Sequence, residues 1–184
     1  MPVSPSELHI GSKAHSFSLK GVDDKVYSLS DFNGKDVLCI IFTCNHCPYA
    51  VAVEDRINDI AKKYSGKPFA LVAINSNDEK AYPDDSFDNM KIRAGEKGFT
   101  FPYLRDDSQK TAKEYDAVCT PDIYLFDKDR VLKYRGRIDD SWKDESAVKN
   151  KDLERAIDLL LAGKDINFEM IPSMGCSIKW AAQS

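Results

Sequence analysis

Two cysteines three positions apart, set between an apolar run and an amphipathic one, constrain this chain more than any other feature. They lie in Phe42-Thr43-Cys44-Asn45-His46-Cys47-Pro48. The preceding run, Val37-Leu38-Cys39-Ile40-Ile41-Phe42, is continuous, apolar and partly β-branched, the pattern of a central strand buried on both faces. After the pair, Ala50, Val53, Ile57, Ile60, Ala61 and Tyr64 recur at helical spacing against Glu54, Asp55, Arg56, Asp59 and Lys62, which predicts a helix over 49–64. A strand that delivers two thiols into the first turn of a helix sets them beside unpaired N–H groups and the positive dipole end, both of which favour thiolate. Thiols at i and i+3 there can close a small disulfide. Pro48 is expected to deform that first turn, since it lacks the N–H that would bond the Cys44 carbonyl.

The remaining pattern builds a scaffold around this junction. Phe17 and Leu19, then Val26, Tyr27 and Leu29, flank a polar turn at 21–25 and read as a hairpin. Phe69 to Asn75 is a second buried-type strand, so the unit around the cysteines is βαβ and parallel. Residues 76–83 read as a polar loop. A short helix follows around Phe87 and Met90, ending at Gly95 or Gly98, then a short strand at 101–104 and one or two helical turns at 111–115. Ile123-Tyr124-Leu125-Phe126 and Val131-Leu132-Lys133-Tyr134 form a hairpin, and Asp152 to Ala162 a last helix closed by Gly163. The expectation is one α/β domain over 1–184, a central mixed sheet flanked by helices, with an N-terminal arm (1–15), an N-terminal hairpin and a C-terminal tail (164–184).

Composition narrows the function. With 184 residues, 42% of them hydrophobic, the chain can bury a full core without staples. A net charge of -4 and no basic patch argue against nucleic acid and anionic membrane surfaces as partners. No run has the length to span a bilayer and the first residues do not form a signal peptide, so a cytoplasmic location is expected. Five cysteines at irregular spacing are no secreted disulfide framework; in a reducing compartment a close pair is catalytic or metal-binding.

The cysteine pair after the first parallel strand, together with Cys119-Thr120-Pro121-Asp122 before Ile123-Tyr124-Leu125-Phe126, resembles the thioredoxin-like proteins of the redoxin branch, which includes alkyl hydroperoxide reductase-like and TlpA-like members. The resemblance covers nearly the whole chain and implies the thioredoxin-like fold. It also implies that Pro121 is cis and faces the cysteines, and that Thr120 offers backbone groups to an extended substrate segment. Cys44 would attack a disulfide and Cys47 resolve the mixed disulfide. An imidazolium at His46 would stabilise thiolate and make the couple more oxidising than the roughly -270 mV of thioredoxin. Two departures stand out. Thr43 and Leu38 occupy the places of thioredoxin's tryptophan and buried aspartate, leaving proton transfer to water or Glu54. Ile41 stands where peroxiredoxins have threonine, which weakens a peroxidase reading.

The expected function is thiol-disulfide oxidoreduction through Cys44 and Cys47. Its partners would be protein disulfide or thiol substrates and a reducing protein, and no cofactor or metal is required. Two alternatives remain open: a zinc- or copper-binding protein using the same thiols and His46, and a thiol peroxidase. Cys39 is an inert core residue by its setting. Cys119 and Cys176 are possible auxiliary thiols. The tail around Cys176 either packs on a sheet edge or folds back to bring Cys176 to Cys119 or to the pair. Arg137, after the second hairpin, is read as a salt-bridged loop residue.

Overall fold

A computed structural model describes residues 1–182; Gln183 and Ser184, at the end of the expected tail, lie outside it. In chain order the elements are β1 (Ser18–Gly21), β2 (Val26–Ser28), β3 (Val37–Phe42), α1 (Pro48–Val51), α2 (Glu54–Lys63), β4 (Phe69–Asn75), α3 (Phe87–Lys97), β5 (Tyr103–Arg105), α4 (Lys110–Glu114), β6 (Cys119–Thr120), β7 (Asp122–Phe126), β8 (Leu132–Arg135), α5 (Asp152–Leu161) and β9 (Cys176–Ser177). Seven strands form one mixed sheet in the order β2-β1-β5-β4-β3-β7-β8, and β6 pairs with β9 apart from it. This is the thioredoxin-like arrangement.

β3 is the axis of the sheet, and all six of its residues are buried. Its side chains alternate between two cores, as strand geometry requires. Val37, Cys39 and Ile41 pack under α2 and α5 with Ile57, Ile60, Leu153 and Ile157. Leu38, Ile40 and Phe42 pack on the other side with Phe17, Phe32, Tyr115 and Tyr124. Each such buried aliphatic side chain contributes about 1.5–3 kcal/mol. β3 runs parallel to β4 and antiparallel to β7, with Phe42 opposite Asp122. That register sets the residues just after β3 against those just before β7, which places the site.

Two expectations change, and of the two readings of the tail the fold-back is the one seen. The helix over 49–64 is broken: α1 is a single turn with Pro48 at its first position, and α2 starts at Glu54. Val53 N–H reaches only to Ala50 O, and the Ala52 carbonyl accepts from Arg56 Nη2, so the chain tightens between the two helices. The arm at 1–15 is pinned, since Val3 and Gly175 exchange N–H···O bonds of 2.8 and 3.0 Å and Gly11 N–H donates to Leu132 O. The tail does more than cover an edge: its β9 pairs with β6, Thr120 opposite Cys176. α3 ends as read, at Gly98, whose φ of 60° needs glycine's freedom. Among the described residues no helix is long and apolar enough to cross a membrane.

Candidate active site

The Thr120-Pro121 peptide is cis, and the register of β3 with β7 holds it against the cysteine pair. All five cysteines are free thiols. Cys44 is 4% exposed and Cys47 fully buried. Cys44 Sγ accepts the Cys47 N–H at 3.4 Å and meets Thr120 Oγ1 at 3.3 Å, while the Cys47 thiol donates to Thr120 O at 3.2 Å. Thr120 therefore binds both sulfurs, by its hydroxyl and its carbonyl.

Behind the pair lies a buried polar network centred on Asp85, which has no exposed surface. Its Oδ1 accepts Asn45 N–H at 2.7 Å and Asn75 Nδ2 at 3.2 Å. Its Oδ2 accepts His46 Nδ1 at 2.5 Å and Asn77 Nδ2 at 2.8 Å. Tyr103 donates to Asn45 Oδ1 at 2.9 Å, and Tyr82 stacks on the His46 ring at 5.3 Å. His46 is thus oriented by a carboxylate on one side and an aromatic face on the other. With the carboxylate charged, the His46–Asp85 pair is neutral or negative whatever the charge on the ring. The expected couple more oxidising than thioredoxin rested on His46 alone, and the ring is paired with Asp85. Asp85 instead works against negative charge on Cys44.

A sequence model of the Redoxin family matches residues 9–154. The chain belongs to the Redoxin family. No curated protein matches it. This redoxin is similar over 100% of its length to 98% of an uncharacterised conserved protein from Geobacillus kaustophilus, with 41% identity and a TM-score of 0.95. A hypothetical protein from Sinorhizobium meliloti 1021 shares 38% identity at a TM-score of 0.93, over 98% of both chains. A putative thiol:disulfide interchange protein DsbE from Chlorobium tepidum, 24% identical, shares the fold at a TM-score of 0.65, over 84% of this chain and 99% of that one.

The redoxin brings Cys44, Cys47, His46, Thr120 and Pro121 together, and adds Cys176, whose side chain packs against Cys44, Cys47 and Ala50. Cys119 is fully buried, its thiol contacts Pro121 O at 3.5 Å, and burial first, then Asp122 and more weakly Cys47 and Cys176, pushes its pKa up. Cys39 is a core residue, as its setting implied. Arg137 is ion-paired with Asp152 at 2.6 Å, and Glu54 is committed to Arg93 and Lys97, so Glu54 is no free proton carrier. Beside the site a recess of about 420 Å³ runs between Tyr49, Pro121, Trp142 and Met174. Sequence reading missed Asp85, Asn75, Asn77 and Tyr103. The available signal was the polar stretch directly after β4, at the carboxyl end of a parallel strand where α/β sheets place their sites.

The two thiols titrate as a unit. Electrostatics draws the lower value to Cys47, about 4, first through its hydrogen bond with Cys44, with burial opposing and the Cys176 thiol and Ala50 N–H assisting. The same hydrogen bond, then burial and Asp85, pushes Cys44 well above the ordinary thiol range. The neighbouring donors point the other way, with Cys47 N–H and Thr120 Oγ1 at Cys44 and a carbonyl at Cys47. We therefore assign one low and one high value to the pair as a whole, not to either sulfur. Iodoacetamide labelling of the reduced protein should persist down to about pH 5 and fall only toward about 4, where an ordinary thiol at about 8.5 would already have lost it. The low group binds fewer protons folded than unfolded, so its contribution to stability is full above about 8.5 and is lost as pH falls through about 4. The raised partner acts oppositely, contributing below about 8.5 and losing that as pH rises. A labelling rate that declines tenfold per unit from about pH 8 downward would refute the shared low value.

Proposed function

We infer that this redoxin carries out thiol-disulfide exchange through Cys44 and Cys47. The observation that carries the reading is the placement of both sulfurs against Thr120 of a cis Thr-Pro peptide, with donors on one sulfur and an acceptor on the other. Cys44, the more exposed of the two, attacks a substrate disulfide with its thiolate. One substrate sulfur leaves as thiolate and the other is held as a mixed disulfide on Cys44. Cys47 then attacks Cys44, releasing the second substrate thiol, and its proton passes to the departing sulfur. The retained proton of the pair replaces the buried aspartate of thioredoxin, whose place holds Leu38. The substrates are protein disulfides, and a reducing protein in a reducing compartment, the cytoplasm by the sequence reading, restores the dithiol.

A Cys47→Ser chain should retain a partner as a mixed disulfide on Cys44 in cell extract, released by dithiothreitol, while Cys44→Ser retains none. Trapping by Cys44→Ser alone would reverse the two roles. A metal reading has one observation behind it: ligand atoms of Cys44, His46 and Asp85 lie within 4.8 Å of one another. Asp85, however, already accepts four hydrogen bonds, which a cation would have to displace. Stoichiometric zinc or copper in purified protein, without a reversible Cys44–Cys47 disulfide, would overturn the exchange reading.

A further inference from the structure

The strand β9 lies where the redoxin resemblance puts an incoming substrate segment: antiparallel to the residues before cis-Pro121, with Cys176 opposite Thr120. Its fit is close. The Thr120 carbonyl comes so near Gly175 that a Cβ there would sit 2.0 Å from its oxygen. Ile178 N–H donates to Val118 O at 3.1 Å and Ile178 is buried, so the segment is seated on both sides of Cys176. The Cys176 side chain packs against the cluster of Cys44, Cys47 and Ala50, and it is half-buried where Cys44 and Cys47 are almost wholly enclosed.

We propose that Cys176 is a third redox thiol of the site, which attacks Cys47 in the oxidised pair and moves the disulfide from Cys44–Cys47 to Cys47–Cys176. The proposal rests on the exchange reading above and names the resident partner of that site. The step balances without an outside oxidant: the Cys44–Cys47 bond breaks, the Cys47–Cys176 bond forms, and the proton from Cys176 goes to Cys44. Donors for the leaving Cys44 thiolate are in place, Cys47 N–H and Thr120 Oγ1. In the reduced protein burial and the neighbouring Cys47 hold the Cys176 thiol up at about 11; once Cys47 is in a disulfide the second influence disappears. The relay carries oxidising equivalents from an enclosed pair to a more accessible strand, where a reducing dithiol protein can reach them.

The test uses the full chain with Cys44→Ser, oxidised by diamide and mapped by mass spectrometry after alkylation. The expected result is a monomer in which Cys47 and Cys176 are lost together to alkylation and recovered in one linked peptide pair. Cys44→Ala should give the same link, and adding Cys119→Ser should not change it. Both thiols remaining alkylatable in the folded variants, or a Cys119–Cys176 link in place of Cys47–Cys176, would overturn the relay. Wild-type protein treated in the same way separates the two claims. Wild-type protein with neither a Cys44–Cys47 nor a Cys47–Cys176 disulfide defeats the exchange reading itself, whereas a Cys44–Cys47 disulfide there without the variant link defeats only the role of Cys176.

Discussion

Gly175→Ala should raise the iodoacetamide labelling rate of Cys44 and Cys47 in the reduced protein roughly 5- to 150-fold. The added Cβ would stand 2.0 Å from Thr120 O and 2.6 Å from Thr120 C. Both are backbone atoms of the segment that carries the cis peptide, so no flexible side chain can move aside. Relief has to come from β9 lifting off β6. Overpacking of this kind costs about 1–3 kcal/mol, and a closed state weakened by that amount opens 5- to 150-fold more often. The same substitution should weaken the Cys47–Cys176 link, because it displaces the residue next to Cys176. Gly34→Ala is the control, since nothing lies within 4 Å of a Cβ at that position. Equal labelling rates in the two variants would mean that the tail does not cover the thiols.

Arg135→Ala should destabilise the protein by about 3–5 kcal/mol, because it strands a charge. Arg135 and Asp122 both have no exposed side-chain surface. The guanidinium meets the carboxylate twice, Nε to Oδ1 at 3.2 Å and Nη2 to Oδ2 at 2.8 Å, and also donates to the carbonyls of Asp116 and Glu7. Asp122 in turn accepts from Val118 N–H and the Tyr124 hydroxyl, so the pair anchors the segment on both sides of Pro121. For a chain of this size the cost corresponds to a Tm lower by roughly 6–20 °C. Lys62→Ala, which removes an exposed partner 3.8 Å from Asp59, should change stability by less than about 1 kcal/mol. Arg135→Met combined with Asp122→Leu should cost less than Arg135→Ala alone, since removing both charges leaves none unpaired. Calorimetry on the four proteins decides the ordering.

Much of the fold was legible because it rests on local periodicity. β3 announced itself as an unbroken apolar run, the hairpin of β7 and β8 as two runs around a polar turn, and α5 as one apolar face. The cysteine pair and Thr120-Pro121 were legible as a motif, and the register of β3 with β7 brought them together as the resemblance implied. Long-range polar contacts were not legible. Asp85 lies just past the stretch 76–83 that reads as a polar loop, where no pattern marks it, and only tertiary placement turns it into a buried acceptor of four hydrogen bonds. The break between α1 and α2 has the same origin. Arg56 ties Ala52 O to Asp139 and to the carbonyls of Ser141 and Trp142, contacts across more than eighty residues that no helical pattern records. β9 is two residues long and so carries no periodicity, and it lies beyond the stretch matched by the family, 9–154.

The reciprocal hydrogen bonds between Val3 and Gly175 have a consequence for how the site meets solvent. They join the first residues of the chain to the segment lying on the cis peptide, so the two cannot come away independently. In native-state hydrogen exchange the amides of Val3, Gly175 and Ile178 should therefore open as one cooperative unit. That unit holds few of the buried apolar contacts that sustain β3 and its neighbours, which sets its opening free energy well below that of global unfolding. Thiol reactivity should then follow a sub-global opening of this unit, with labelling of Cys44 and Cys47 rising under conditions that leave the exchange protection of β3 unchanged.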